Sequence, residues 1–135
     1  YFIQTHPQAN IVILNKKEMA FVQNQGYVRD PKELILRDDQ TAVVTRGVEG
    51  TSLYTNNASY TVEPFLVDPV EETGAGDAFA AAFIWALLKE YPLDICARLG
   101  NLMGAIAVQK FGGQLDQKSI DIFKKEAIKH GLIRV

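Results

Sequence analysis

The sequence predicts an α/β fold with three layers, α/β/α, in which a mostly parallel sheet carries an antiparallel hairpin at its edge. Two short apolar runs, residues 11–14 and 41–45, are typical of strands that are buried on both faces. The residues between these runs have helical patterns, and the order strand, helix, strand favours parallel pairing. Residues 51–54 and 60–63 flank Asn56 and its neighbour Asn57, which predicts the hairpin.

The segment between the two buried strands contains two helical pieces. Residues 16–23 form the first piece, which is expected to stop near Gly26. The second piece starts at Asp30, a favourable capping residue, followed by Pro31, which is tolerated in the first turn of a helix. Residues 33–37 then supply one or two turns.

Three further helices are predicted in the second half of the chain. Residues 77–91 are almost wholly apolar, so we expect a helix that is buried nearly all round and is ended by Pro92. Residues 94–110 form a helix rich in small side chains. Residues 119–130 form an ordinary amphipathic helix, with Gly131 just past its end.

Composition and charge exclude several classes of function. The 135 residues are 47% hydrophobic and 22% charged, which suits one globular domain with one core. The net charge of −2 predicts neither a nucleic-acid surface nor a basic membrane-binding face. The longest apolar run, residues 78–88, is too short to cross a bilayer, and no stretch resembles a signal peptide. The single cysteine, Cys96, is expected to be a reduced core residue of a cytoplasmic protein.

The strongest chemical pattern is the run Thr73-Gly74-Ala75-Gly76-Asp77 at the start of the apolar helix. Glycines there let the backbone approach a ligand, and the free N–H groups and the helix dipole favour an anion. The carboxylate of Asp77 would repel that anion. Its presence makes sense if it takes a proton from a nucleophile that attacks phosphorus.

A purely structural interpretation of this run has about equal weight from the residues alone. Glycine-rich turns are common, and an aspartate is favourable near a helix N-terminus. The run is not a dinucleotide-binding fingerprint, because Phe79 stands where a third glycine or alanine is needed. It is not a phosphate-binding P-loop either, because no Gly-Lys-Ser/Thr follows.

Together with the residues that follow it, the run reads TGAGDAFAAAF and resembles the second signature of the ribokinase-like (PfkB) family. Three other segments occur in the order of that family. Asn15-Lys16-Lys17-Glu18 resembles its N-x-x-E motif, and residues 44–50 resemble the nucleotide loop at a strand end. The helix over residues 97–108 resembles the segment bordering adenine, and residues 111–113 resemble the closing glycine-containing loop. The resemblance extends over residues 10–113 and implies the ribokinase-like fold.

The resemblance implies an ATP- and Mg²⁺-dependent kinase that phosphorylates a hydroxyl group of a sugar or related small molecule. Asp77 would be the general base, and Gly74, Ala75 and Gly76 would form the anion hole. Glu18 would act on Mg²⁺ through water. The residues implied for the nucleotide are Asn15, Thr45, Arg46, Gly47, Val48, Glu49, Gly50, Gly76 and Asn101.

Each of these residues also has a structural alternative. Asn15 and Glu18 have the spacing of a capping box, and the two roles are compatible. Residues 45–50 have the composition of a tight turn between strands, although two glycines would also let the backbone lie along a nucleotide. Asn101 has the alternative of being a solvated helix residue.

One position departs from the family pattern. The family often has an aspartate six residues before the catalytic one, where it helps to hold a monovalent cation; here that residue is Glu71. Its extra methylene leaves activation by K⁺ open. The other implied ligands are Thr73 and the backbone near Ala107, Lys110 and Gly112.

The chain begins without methionine, so we expect it to be a piece of a longer protein. The resemblance implies that residues 1–135 are the C-terminal, nucleotide-binding and catalytic part. The substrate-recognising half, with a small β-sheet lid that often forms a homodimer, would precede it. A sugar kinase, a nucleoside kinase and a nucleotide-binding module without turnover therefore all stand as hypotheses, although the intact Asp77 argues against the third.

Overall fold

The computed structural model describes residues 10–65, 75–109 and 116–134. These residues belong to two compact units, of which the first extends to Val62 and the second begins at Glu63.

The first unit contains a sheet of four strands in the order β1-β2-β3-β4. Its strands are β1 (Ile11–Asn15), β2 (Thr41–Thr45), β3 (Thr51–Tyr54) and β4 (Ser59–Val62). β1 pairs with β2 in parallel, whereas β2–β3 and β3–β4 are antiparallel. The predicted edge hairpin is confirmed. Within the described residues the sheet is mixed, not mostly parallel, because the loop of residues 46–50 is too short for a parallel crossover.

Helix α1 (Lys16–Asn24) follows β1 directly, and a short 3-10 helix (Pro31–Leu34) leads towards β2. Asn15 caps α1 and Asp30 caps the 3-10 helix, as the sequence predicted. The 3-10 helix is one short piece that ends at Leu34, earlier than expected, since Ile35 has already returned to extended backbone. The core of the unit consists of the buried side chains Val12, Leu14, Met19, Val22, Leu34, Ala42 and Val44.

The second unit contains three helices, α2 (Ala75–Leu88), α3 (Leu93–Val108) and α4 (Gln117–Lys129). Gly100 of α3 lies directly against the ring of Phe79, because a Cβ built on it would be 2.6 Å from that ring. A Cβ on Gly104, one turn later, would be 3.4 Å from the carbonyl oxygen of Ala75. The small side chains of α3 therefore allow the start of α2 to pack closely against it.

The expectation that the apolar helix is buried nearly all round is wrong. Helix α2 buries one face, formed by Ala78, Phe79, Ala82, Phe83 and Ala86. On its other side Ile84 is 47% exposed and Leu88 is 79% exposed. A helix that is apolar on every side does not itself determine which side is packed, and in the described part of this unit the neighbouring helices cover one stripe of it.

Helix α2 also ends before the predicted position. Its last residue is Leu88, and Glu90 then takes a left-handed conformation with φ of 64°. The amides of Lys89 and Glu90 bond back to the carbonyls of the last turn, so the helix is closed before Pro92.

Cys96 is buried and unpaired, as predicted. Burial raises the pKa of its thiol to about 11. None of the helices in the described part of the chain is long and apolar enough to cross a membrane.

Candidate functional site

In the first unit, the candidate residues converge on the ends of two neighbouring strands. Asn15 is the last residue of β1 and lies opposite Thr45, the last residue of β2, in the parallel register. The Thr45 hydroxyl lies 3.5 Å from the Leu14 carbonyl oxygen, to which it donates. The carboxyl ends of parallel strands are where open α/β sheets bind ligands.

Asn15 and Glu18 form a complete capping box at the start of α1. The Asn15 side-chain oxygen accepts from the Glu18 amide at 2.7 Å, and Glu18 Oε1 accepts from the Asn15 amide at 2.9 Å. The structural interpretation of this pair is thus confirmed. Both residues are exposed, so their side chains are accessible from solvent.

The loop of residues 46–50 is a tight, hydrogen-bonded turn. The Arg46 amide donates to the Gly50 carbonyl at 2.8 Å, and the Gly50 amide donates to the Gly47 carbonyl at 3.0 Å. Gly47 and Gly50 have φ of 58° and 91°, values at which a side chain would strain the backbone. The two glycines are therefore required by the turn itself, whatever it binds.

The guanidinium of Arg46 is directed towards the hairpin. Its Nε donates to the Ser52 hydroxyl at 2.9 Å, and its Nη2 lies 3.4 Å from the Tyr54 hydroxyl. Val48, by contrast, is 70% exposed. Arg46 thus anchors the loop to β3, while the loop is exposed to solvent at Val48.

An ion pair that sequence analysis did not find joins this loop to the start of α1. Lys16 Nζ lies 2.6 Å from Glu49 Oε1. The hydrogen bond from Lys16, with the positive charge of that side chain, lowers the pKa of Glu49. The sequence carries no local signal for this pair, because Lys17 stands in the same first turn of the helix as Lys16.

In the second unit, the first turn of α2 holds three candidates, Ala75, Gly76 and Asp77. Gly76 and Asp77 are exposed. A Cβ on Gly76 would meet no atom of the described residues within 4 Å, so crowding by residues 10–65, 75–109 or 116–134 does not explain the glycine. Among the described residues the turn is therefore open, and a ligand could approach its backbone closely.

Asn101 lies on α3 and is tied to the beginning of the second unit. Its Nδ2 donates to the Glu63 carbonyl at 2.7 Å, and the Arg98 guanidinium donates to the same oxygen at 2.8 Å. The Arg98 guanidinium also stacks over the ring of Phe65 at 3.9 Å. Asn101 is thus not a merely solvated helix residue. Sequence analysis missed Arg98, whose contacts hold residues 63–65 against α3.

The candidates form two sets, one in each unit. Asn15, Glu18 and residues 45–50 belong to the first, and the start of α2 with Asn101 and Ala107 belongs to the second. Ala107 is buried in the last turn of α3. Gly74, Glu71, Thr73, Lys110 and Gly112 lie outside the described residues. No group of three or more acidic, histidine or cysteine side chains that could hold a metal occurs in the described part.

Comparison with known proteins identifies a family. The pattern of the pfkB family carbohydrate kinases matches residues 3–120. An uncharacterized sugar kinase of Archaeoglobus fulgidus is 31% identical over 104 residues, which are 77% of this chain and 42% of that protein. The inositol 3-kinase of Arabidopsis thaliana is 37% identical over 87 residues, 64% of this chain and 24% of that kinase. The chain thus spans less than half the length of these relatives.

Solved structures show the same fold. Ribokinase from Thermotoga maritima superimposes with a TM-score of 0.75 at 22% identity, over 89% of this chain and 43% of that one. A nucleoside kinase of Burkholderia thailandensis in complex with ADP-inosine gives a TM-score of 0.79 at 21% identity, over 95% and 41%. A putative ribokinase of E. coli with ATP and Mg²⁺ gives 0.72 at 25% identity, over 91% and 41%. The predicted ribokinase-like fold is confirmed.

Proposed function

Because the chain belongs to the pfkB family of carbohydrate kinases, we propose that it is the C-terminal, nucleotide-binding and catalytic part of such a kinase. The complete enzyme transfers a phosphoryl group from ATP to a hydroxyl group of a sugar or related small molecule. The observation that carries this proposal is the first turn of α2, where the exposed Asp77 follows Gly76 and no other described residue crowds the glycine.

The proposed reaction uses the start of α2 in two ways. The Asp77 carboxylate takes the proton of the acceptor hydroxyl as its oxygen attacks phosphorus. The backbone N–H groups of Gly74, Ala75 and Gly76, aided by the helix dipole, stabilise the negative charge on the transferring phosphoryl group. The packing of Phe79 on Gly100 supports this role, because it fixes the turn that carries Asp77 to α3.

The proposed nucleotide contacts come from the strand ends and from α3. Thr45 and the backbone of residues 46–50 hold the nucleotide, and Asn15 lies near its phosphates. Arg46 acts by anchoring the loop, given its bonds to Ser52 and Tyr54. Asn101 borders the base, with its amide fixed by the Glu63 carbonyl.

Magnesium is proposed to act with Glu18. The ion would neutralise charge on the nucleotide phosphates, as in other phosphoryl transfers. One carboxylate oxygen of Glu18 accepts a hydrogen bond from the Asn15 amide. The other oxygen is left to accept a hydrogen bond from a water molecule bound to Mg²⁺. We also propose a K⁺ site made by Glu71 and Thr73 with the backbone of Ala107, Lys110 and Gly112. Because of the longer Glu71 side chain, we expect this site to bind K⁺ weakly or not at all.

The acceptor is proposed to be a sugar, and a nucleoside is the second candidate. Sugar and inositol kinases lie among the relatives, whereas nucleoside kinases lie among the solved structures of the same fold. A module that binds nucleotide without turnover is disfavoured, because such a module has no use for Asp77. We further propose that the complete enzyme is a cytoplasmic homodimer.

The test is an ADP-release assay on the complete kinase with a panel of sugars and nucleosides. We expect ATP-dependent turnover with at least one sugar; turnover with nucleosides alone would favour the second candidate, and none with any hydroxyl compound would refute the proposal. The 135-residue chain alone is expected to bind ATP weakly and to phosphorylate nothing. Holding the acceptor in line is worth about 7–11 kcal/mol, and the groups that hold it belong to the other half.

A further inference from the structure

The ion pair of Lys16 and Glu49 links two segments that are 33 positions apart in sequence. Lys16 follows the last residue of β1, and Glu49 lies in the loop that leaves β2. Their side-chain atoms are 2.6 Å apart, a short charge-assisted hydrogen bond. The pair therefore spans the strand ends at the place where Asn15 and Thr45 lie side by side.

Lys16 has no evident use in its own helix. A cation in the first turn of a helix is unfavourable, because the N-terminal end of the helix dipole is positive. Stabilisation of α1 at that end comes instead from the capping box of Asn15 and Glu18. The contact that Lys16 makes lies outside the helix, with Glu49.

The two contacts of the loop with its surroundings are complementary. Arg46, at its beginning, bonds to Ser52 and Tyr54 of β3. Glu49, near its end, bonds to Lys16 beside β1. The loop is therefore held from both sides of β2, once on the hairpin side and once on the side of the parallel partner.

We infer that Lys16 and Glu49 form a clasp that sets the position of residues 46–50 and thereby the affinity for nucleotide. They are positioning residues, and neither takes part in the chemical step. The effect on nucleotide rests on the proposed function, whereas the effect on the loop does not. The side chains are 62% and 58% exposed, so water screens the pair. Loss of such an exposed pair changes an equilibrium by about two- to fivefold.

The loop itself is tested by amide hydrogen exchange on the complete kinase without nucleotide. The reporters are the amides of Glu49 and Gly50, which bond to the carbonyls of Arg46 and Gly47. Lys16→Glu and Glu49→Lys should each lower the protection factors of these amides, which compare each rate with that of the same unfolded sequence, about two- to fivefold, since like charges then face each other. The double variant, Lys16→Glu with Glu49→Lys, should restore the protection factors of the parent. Lys32→Glu, the same charge change on the connection that enters β2, is the control and should leave them unchanged.

The effect on nucleotide is measured with the same variants. ATP affinity should fall about two- to fivefold in each single variant and recover in the double one, with KM for ATP changed and kcat nearly constant. Unchanged exchange and affinity in the single variants would overturn the clasp. Weakened binding that the double variant fails to restore would overturn it too, because Lys16 would then act on the nucleotide directly. A parent enzyme that binds no ATP would refute the proposed function instead, while the exchange rates still decide on the clasp.

Discussion

Replacing Gly100 by alanine would test how closely the helix that carries Asp77 is packed. The new Cβ would lie 2.6 Å from two ring atoms of Phe79, a distance that real Cβ contacts essentially never show. Phe79 is only 3% exposed, and its ring stacks on Phe83 with centroids 5.8 Å apart. The ring thus has little room to withdraw, and the helices must separate or Phe79 must take a strained rotamer.

The expected cost follows from two opposing terms. Overpacking of a core typically destabilises by about 1–3 kcal/mol, whereas glycine to alanine inside a helix stabilises by about 1 kcal/mol. Gly104→Ala is the matched control, because its Cβ would be 3.4 Å from the Ala75 carbonyl oxygen, an ordinary contact. The helix term is common to both variants. We therefore expect Gly100→Ala to be less stable than Gly104→Ala by about 1–3 kcal/mol.

The assay is thermal unfolding of the complete kinase, followed by fluorescence or calorimetry. The difference between the variants should appear as a melting temperature several degrees lower for Gly100→Ala. In domains of roughly 150–250 residues or more, about 1 kcal/mol corresponds to roughly 2–4 °C. Adding Phe79→Leu to Gly100→Ala should cost less than the sum of the two single changes, because the shorter side chain makes room for the methyl group. Equal melting temperatures for Gly100→Ala and Gly104→Ala would refute the packing argument.

Three further predictions concern Glu18, the cation site and Cys96. Glu18→Gln should raise the Mg²⁺ concentration needed for half-maximal activity, because the cap to Asn15 survives while a charge is lost; a titration that overlays the parent curve would leave Glu18 with the cap alone. K⁺ should activate the complete kinase weakly or not at all, and it should activate the Glu71→Asp variant more strongly. Strong activation of the parent by K⁺ would show that the longer side chain of Glu71 does not impair the cation site. Cys96 should react with iodoacetamide at pH 8 about a hundredfold more slowly than an exposed thiol, because its pKa of about 11 lies well above the ordinary value of 9.0. Between these two pH values only the unfolded chain loses the thiol proton, so deprotonation favours the unfolded state. Unfolding should therefore become easier as pH rises from about 9 to 11, and a flat profile would contradict the burial of the thiol.

Local patterns in the sequence were sufficient for much of the first unit. The cap of α1 at Asn15 and the strand at Thr41–Thr45 depend on neighbouring residues, so their spacing predicted them. The mixed character of the sheet was also within reach, because residues 46–50 leave no room for a crossover to a parallel strand. The mostly parallel prediction gave too much weight to the first strand pair.

Contacts between residues that are distant in the sequence could not be predicted from local patterns. The residues around Lys16 do not predict that it pairs with Glu49. The residues around Arg98 likewise do not predict its hydrogen bond to the Glu63 carbonyl. The exposed side of α2 was missed for a related reason. Its sequence is apolar on all sides, and only the tertiary structure decides that Phe83 is buried while Leu88 is 79% exposed.

The most direct test of the account is Asp77→Asn in the complete kinase, with turnover and ATP affinity measured on the same preparation. Asp94→Asn is the matched control, since Asp94 is also an exposed aspartate in the first turn of a helix. We expect Asp77→Asn to lower kcat by about 10²–10⁴-fold or more, the usual cost of losing a positioned base, with ATP affinity nearly unchanged. Asp94→Asn should keep the parent rate. If Asp77→Asn retained most of the turnover of the parent enzyme, Asp77 would not be the base and the proposed mechanism would be wrong.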